Sequence, residues 1–223
     1  MINNTIILKY KKYHNPLSIL TKKYGSDKGS PIDDDTSESG WNMSLYADFY
    51  HMLFWNRRDK IKTMLEVGIG TNNDSLPSNM TFNGKPGASL RAWRDYFPNA
   101  MIYGADVDKD ILFEEERIKT LYVDQADKFS VAELIGEIDK TFDFIIDDGL
   151  HEAHAQITLL EAIYYKLKLG GIYIIEDCVN TYREVKNHLD GNGYEYIDLD
   201  FTNDSNYCFV IFKSKEPWDE NRP

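Results

Sequence analysis

The chain has 223 residues, 42% hydrophobic and 13% aromatic, which excludes a disordered polymer and suffices to bury one full domain core with an extension. Acidic residues number 37 against 25 basic ones, a net charge of −12 that argues against a general nucleic-acid binder but leaves room for a local basic pocket. Cys178 and Cys208 give neither metal-ligand spacing nor a disulfide framework, and no window approaches the roughly 18 apolar residues of a membrane span. The first residues, "MINNTIILKYKKYHN", hold an apolar patch too short for a signal peptide, so a reduced, cytoplasmic setting is the simpler expectation.

In chain order, "LSILTKKYG" reads as a short amphipathic helix ending at Gly25. "SDKGSPIDDDTSESG" reads as a polar loop whose acids at 33–35 are solvated, and "SLYADFYHMLFWNRR" as a helix with an aromatic face able to pack on a second subunit. A regular alternation starts near Lys62. "KTMLEVGIG", "AMIYGADVD", "IKTLYVDQAD", "FDFIIDD" and "IYIIED" are buried strands. Between them lie helices over "GASLRAWRDYF", "DILFEEER", "SVAELIGEI" and "EAHAQITLLEAIYYKLK", the last stopped by Gly170 and Gly171. A helix over "YREVKNHL" precedes a closing strand pair, "YEYIDLD" and "NYCFVIFK". Continuous apolar strands alternating with amphipathic helices predict a Rossmann-like α/β fold, a mainly parallel sheet with helices on both faces and an antiparallel pair at its end.

In such a sheet, ligands sit beyond the carboxyl ends of the strands. Glu66, Gly68 and Gly70 end the first strand, where glycines let a ligand approach the backbone. Asp106 ends the second and suits ribose hydroxyls, with Asp108 past the strand end facing solvent. Asp124 and Gln125 end the third and suit an adenine edge. An adenosine-containing cofactor follows. The sixth position of G-x-G-x-x-G is Asn73, which speaks against an NAD-dependent oxidoreductase. The loop at 71–87 is long enough to act as a flap, a surface insertion being the alternative. Arg91 is placed to meet a carboxylate, or else is a surface arginine.

Asp148 ends the fourth strand; Glu176 and Asp177 end the fifth. If these strands are neighbours, about 4.8 Å apart, three carboxylates converge and repel. Protonation, a basic partner or a bound cation relieves that. Neither "IIDDGLHEAH" nor "IIEDCVNTY" contains a lysine or arginine, so a hard cation is expected: Mg²⁺, with Mn²⁺ or Ca²⁺ as alternatives. His151 stands over the same cleft as a general base, with His154 as its rival one helical turn on. Cys178 reads as a small packing residue.

The runs "LEVGIG", "GASLRAWRDYFPNAMIYGADVD", "VDQAD", "FDFIIDDGLHEAH" and "LKLGGIYIIED", with "KYGSDKG" nearer the N-terminus, resemble class I S-adenosylmethionine-dependent methyltransferases. Within them the pattern is similar to the metal-dependent sugar O-methyltransferases of macrolide tailoring and their surface-glycan relatives. The resemblance implies a seven-stranded sheet, with an N-terminal helical extension or lid at 1–60, the cofactor-binding methyltransferase domain at 61–215 and a tail at 216–223. It implies S-adenosylmethionine as cofactor, bordered by Glu66, Gly68, Asp106, Asp124 and Gln125, Mg²⁺ on Asp148, Glu176 and Asp177, and His151 as base. Leu150 departs from the pattern, where serine is common, and the 71–87 loop is longer than usual. The acceptor implied is a sugar hydroxyl on a nucleotide-sugar, a glycan or a natural product; a catechol-type methyltransferase needs the same metal and cofactor but a flat aromatic pocket.

Overall fold

A computed structural model describes residues 5–7, 15–29, 46–80, 84–201 and 206–214; the acidic run at 33–35 and the tail at 216–223 lie outside the described residues. In chain order the elements are β1 (Thr5–Ile7), α1 (Pro16–Tyr24), α2 (Tyr46–Phe54), β2 (Thr63–Val67), α3 (Ala88–Tyr96), β3 (Met101–Asp106), β4 (Glu114–Glu115), β5 (Ile118–Tyr122), α4 (Lys128–Glu137), β6 (Phe142–Asp147), α5 (Ala153–Ile163), β7 (Leu167–Ile175), α6 (Tyr182–Gly191), β8 (Glu195–Phe201) and β9 (Asn206–Phe212). They build one sheet in the order β1-β8-β9-β7-β6-β2-β3-β5-β4. Strands β5, β3, β2, β6 and β7 are parallel, and β9 runs antiparallel between β7 and β8. These are the seven strands of the expected sheet. Two short edge pieces extend it, β1 parallel on β8 and β4 antiparallel on β5.

Alternating side chains divide between two faces. Met64, Ile102, Phe144, Ile146 and Ile174 pack with α1, α2 and α3; Leu65, Ala105, Ile145, Tyr173 and Ile175 pack with α4, α5 and α6. Burial on both faces explains why the strands read as unbroken apolar runs. The sequence runs outward from β2 through β3 to β5, then returns to place β6 and β7 on the other side of β2. The crevice beyond β2 and β6 is therefore the topological switch point, where such sheets bind ligands.

Helix α1 is fixed at both ends. Asn15 Oδ1 accepts from the amides of Leu17 and Ser18, Ser18 Oγ accepts from the Asn15 amide, Pro16 opens the helix, and Gly25 closes it at φ 78°. The aromatic face of α2 turns inward. Its Tyr50 and Phe54 rings lie 5.7 and 4.6 Å from Phe144 on β6, and Trp93 and Phe97 complete the cluster at 6.1 and 6.3 Å.

Two expectations fail. "DILFEEER" holds only a 3-10 turn at Lys109–Ile111, then β4. Arg117, at φ 60°, turns the chain there by donating to the carbonyls of Arg94, Phe97 and Ala100, a tertiary anchor that overrides local helix preference. The helix after β6 ends at Ile163 instead of running on to the glycines. Gly170 and Gly171 sit within β7, where its register against β6 shifts between Phe142 and Phe144.

Phe144→Ala should destabilise the fold by about 3–5 kcal/mol, because it empties the centre of this aromatic cluster. Urea denaturation read by circular dichroism measures the change.

Candidate active site

A cavity of about 430 Å³ opens beyond the carboxyl ends of β2, β3, β5 and β6, a size suited to a small cofactor. Gly68 and Gly70 form its wall, at φ 87° and 83°. The Asp148 amide donates to the Val67 carbonyl (2.8 Å), drawing the loop after β6 across β2 so closely that a Cβ on Gly68 would lie 1.9 Å from the Asp148 carbonyl oxygen. Only glycine fits there.

Asp106 and Asp124 line the cavity as expected of residues at those strand ends. Asp106 also holds the glycine loop, Oδ2 accepting from the Ile69 amide (2.9 Å) and Oδ1 from the Asp108 amide (3.0 Å); burial still lifts its carboxyl above the usual range. Asp108, expected in solvent, is buried and accepts from the Thr71 hydroxyl at the root of the long loop. That loop folds over the cavity. Met80 packs on Gly70, its amide donates to the Thr71 carbonyl (2.7 Å), and Ser78 Oγ donates to the Leu150 carbonyl (2.9 Å).

Of the expected cofactor residues, Arg91 and Glu66 do not line the cavity, and Gln125 lines it with its amide engaged. Arg91 lies outside the cavity, its guanidinium forked onto Glu115 Oε1 (3.0 and 2.7 Å) and stacked 4.4 Å from the Phe113 ring. Gln125 lines the cavity, but both ends of its amide are engaged. Nε2 donates to Asp147 Oδ1 (2.6 Å) and Oε1 accepts from the Leu150 amide (3.0 Å), so it shapes the loop at 147–150 and is not free to read a base.

The pair at the tip of β6 splits by strand alternation. Asp147 turns into the far face, where burial pushes its carboxyl up to about 7 against the pull of Gln125 and the Gly149 amide. Asp148 turns toward the cavity. Its Oδ1 lies 3.2 Å from His151 Nε2, and the same nitrogen is 3.7 Å from Asp177 Oδ2. One ligand atom from each of Asp148, His151 and Asp177 falls within 4.8 Å of the others. His154 sits outside this group, exposed and paired with Glu152. His151 and Asp177 both hold left-handed backbone, at φ 56° and 54°, a strained conformation that aims both side chains into the cleft. Burial lowers the imidazole's proton affinity, but the hydrogen bond to Asp148 and the charges of Asp148, Asp177 and Asp147 outweigh it and hold His151 at about 9.

Beneath this group the acids have a basic partner that the strand-end segments lack. Lys28 is 3% exposed, and its ammonium lies 2.5 Å from Asp148 Oδ2, 2.5 Å from Glu176 Oε2 and 3.4 Å from Glu66 Oε1. Burial opposes its charge, yet Asp148, Glu176, Glu66 and Asp27 together hold it well above the ordinary lysine range. Asp148 in turn is held below the usual carboxylate range: burial raises it, but Lys28 and His151 outweigh burial. Glu176, expected to face a cation beside Asp148 and Asp177, is buried below them, with Oε1 accepting from the Tyr50 hydroxyl and Oε2 from Lys28. Glu66 lies under the floor. Its Oε2 accepts from Trp93 Nε1 (3.0 Å), and burial pushes it up to about 7 despite Lys28. Tyr46 completes the frame, donating to Asp177 Oδ1 (3.0 Å) and accepting from the Asp177 amide (3.1 Å).

Sequence reasoning passed over three of these residues. Lys28 stands in "KYGSDKG", far in sequence from the strand ends that carry the acids. Tyr46 and Tyr50 stand at i, i+4 on the aromatic helix, a spacing that places both hydroxyls on one side. The donor set still favours a cation. Burial raises both Glu66 and Glu176, so Asp148 and Asp177 are the acids left open to the cavity, and beside His151 they are hard oxygen donors suited to Mg²⁺. The residues fit the ion.

The sheet order, with its cavity at the switch point, is the fold of class I S-adenosylmethionine-dependent methyltransferases. Within that class the chain is a homologue of sugar O-methyltransferases. It is 30% identical over 166 residues to 8-demethyl-8-alpha-L-rhamnosyl tetracenomycin-C 2'-O-methyltransferase of Streptomyces olivaceus, covering 74% of this chain and 38% of that protein. It is 32% identical over 168 residues to L-olivosyl-oleandolide 3-O-methyltransferase of Streptomyces antibioticus, covering 75% and 38%. The chain thus spans about two fifths of the length of these curated relatives. Its fold matches MycE methyltransferase from the mycinamycin biosynthetic pathway, solved with Mg, SAH and mycinamycin VI, at a TM-score of 0.66 and 23% identity over 93% of this chain and 57% of that one. No protein-family model matches the chain.

Gln125→Leu keeps the side chain's bulk but strips Asp147 of its shortest donor and the Leu150 amide of its acceptor. It should cost about 1–3 kcal/mol of stability, measured by chemical denaturation.

Proposed function

We propose that this chain methylates a sugar hydroxyl, with S-adenosylmethionine as donor and a divalent metal as cofactor. The acceptor class is a nucleotide-sugar, a surface glycan or a glycosylated natural product. One observation carries the reading: Asp148, His151 and Asp177 converge on one side of a glycine-walled cavity whose other strand ends present Asp106 and Asp124. The relatives named for rhamnosyl and olivosyl compounds support a sugar as acceptor.

In this reading Gly68, Gly70, Asp106 and Asp124 border the cofactor, and Asp148 and Asp177 offer oxygens to the metal. Glu176 places Lys28 and the β7 tip from below. Such an ion, when bound, supplies Lewis acidity that lowers the pKa of a hydroxyl brought against it. His151 takes the hydroxyl proton on Nε2, the nitrogen that faces both carboxylates. Those carboxylates are also the ones offered to the ion, so sharing them weakens the pull that keeps His151 protonated. Attack on the sulfonium methyl in line then depends on alignment, which the folded-over loop at 71–80 helps to fix by excluding water. The two free, buried cysteines fit a cytoplasmic setting, the net charge disfavours nucleic acid as partner, and self-association remains part of the proposal. Among the described residues no helix is long and apolar enough to cross a membrane.

Chelation tests the metal. EDTA should abolish methyl transfer to a glycosylated acceptor and Mg²⁺ should restore it; full turnover after rigorous metal removal would refute the role given to Asp148 and Asp177. His151→Ala should lower turnover by about 10²–10⁴ while S-adenosylhomocysteine affinity, measured by calorimetry, stays unchanged.

A further inference from the structure

We propose that Lys28 is a resident counter-cation that competes with the divalent metal for Asp148 and moves toward Glu66 when the ion binds. The inference rests on the metal-dependent reading above and concerns a residue that this reading leaves without a chemical step.

The geometry is that of a two-position ammonium. Glu176 Oε2, at 2.5 Å, is common to both positions. Asp148 Oδ2, also at 2.5 Å, is the present second partner. Glu66 Oε1, at 3.4 Å, is the alternative. It is buried, and its 3.4 Å ion pair with Lys28 falls short of hydrogen-bond geometry. Buried carboxylate oxygens are seldom left so, because each forfeits the solvation it had in water. A shift of under about 1 Å toward Glu66 brings the ammonium into hydrogen-bond range of that oxygen.

Asp148 is the shared element. Its Oδ2 faces Lys28 below, and its Oδ1 faces His151 and the cleft, where Asp177 stands ready as a second ligand. An ion on Oδ1 and an ammonium on Oδ2 place two positive centres on one carboxylate, a few ångströms apart in a site with little water to screen them. Moving Lys28 to Glu66 separates them without exposing a charge. The lysine therefore neutralises the acids while the ion is absent, and Glu66 receives it when the ion arrives.

Mn²⁺ binding to the full chain, followed by the EPR signal of free Mn²⁺, tests this without turnover. Lys28→Met removes the competitor and should raise Mn²⁺ affinity at least about tenfold. Glu66→Gln weakens the alternative partner and should lower affinity by roughly threefold to tenfold in the wild-type background, but by less than about twofold in the Lys28→Met background. A lysine that merely props the site would give the opposite sign, so unchanged or weaker binding by Lys28→Met overturns the proposal. An undiminished Glu66→Gln penalty in the double variant also overturns it. If Lys28→Met does not fold, Glu66→Gln decides alone, and unchanged affinity in that variant is the overturning result. Absence of Mn²⁺ binding in wild type and all variants would refute the metal reading itself, whereas binding that ignores Lys28 refutes only the competition.

Discussion

The arrangement turns on the concentration of negative charge at the tips of β2, β6 and β7. Parallel neighbours place Asp148 and Glu176 side by side just past the ends of β6 and β7, Glu66 stands two residues lower opposite Ile146, and Asp177 follows directly. Close carboxylates in a partly dry crevice are unstable without compensation. Lys28 supplies the charge, while the Tyr50 hydroxyl, Trp93 Nε1 and the Tyr46 hydroxyl supply neutral donors. Every compensating group comes from outside the strands that carry the acids. The site is thus a product of tertiary packing, and α1, α2 and α3 are as necessary to it as the sheet.

Compensation alone does not aim the side chains. The close passage of the 147–150 loop over Gly68 sets the height of Asp148 above the cavity floor. Left-handed backbone at His151 and Asp177 then turns both side chains toward Asp148. Such conformations cost of order 1–3 kcal/mol each and persist where the surroundings determine them. Those surroundings are visible: the Tyr46 hydroxyl clasps Asp177 through amide and carboxylate, and Gln125 with Ser78 pins Leu150 from two sides. Three of the four non-glycine residues with positive φ among those described, Ser78, His151 and Asp177, line the cavity, so local strain gathers where the chemistry is proposed.

The fold was legible because burial on both faces writes itself into the sequence as unbroken apolar strands between amphipathic helices, and strand ends can be read from where glycine and carboxylate replace valine and isoleucine. Asp106, Asp124, Asp148 and Asp177, which line the cavity, are readable that way. What escaped was whatever depends on orientation or on long-range contact. Alternation along β6 separates Asp147 from Asp148, but which of the two faces the crevice follows only from register. Gln125 stands at the right strand end, yet its amide is taken by Asp147 and Leu150. Arg91 starts from a helix beside the cavity and is captured by Glu115 from a hairpin that "DILFEEER" hides as a helix. Lys28 lies 120 residues from Asp148, beyond the reach of any local pattern.

That distance shapes how the two halves of the site relate. The glycine-walled side of the cavity is built on strand ends and tight turns, with the Gly68 amide donating to the Ala105 carbonyl of β3 (2.8 Å). The acid side is closed by one lysine from the loop after α1, in a segment tied to α2 by the Ala47 amide donating to the Lys28 carbonyl (2.8 Å) and to the sheet mainly through the ion pairs themselves. Gly25, Ser26 and Asp27 in that segment also line the cavity. The partner of the carboxylates and part of the cavity wall thus come from one run of four residues, Gly25 to Lys28.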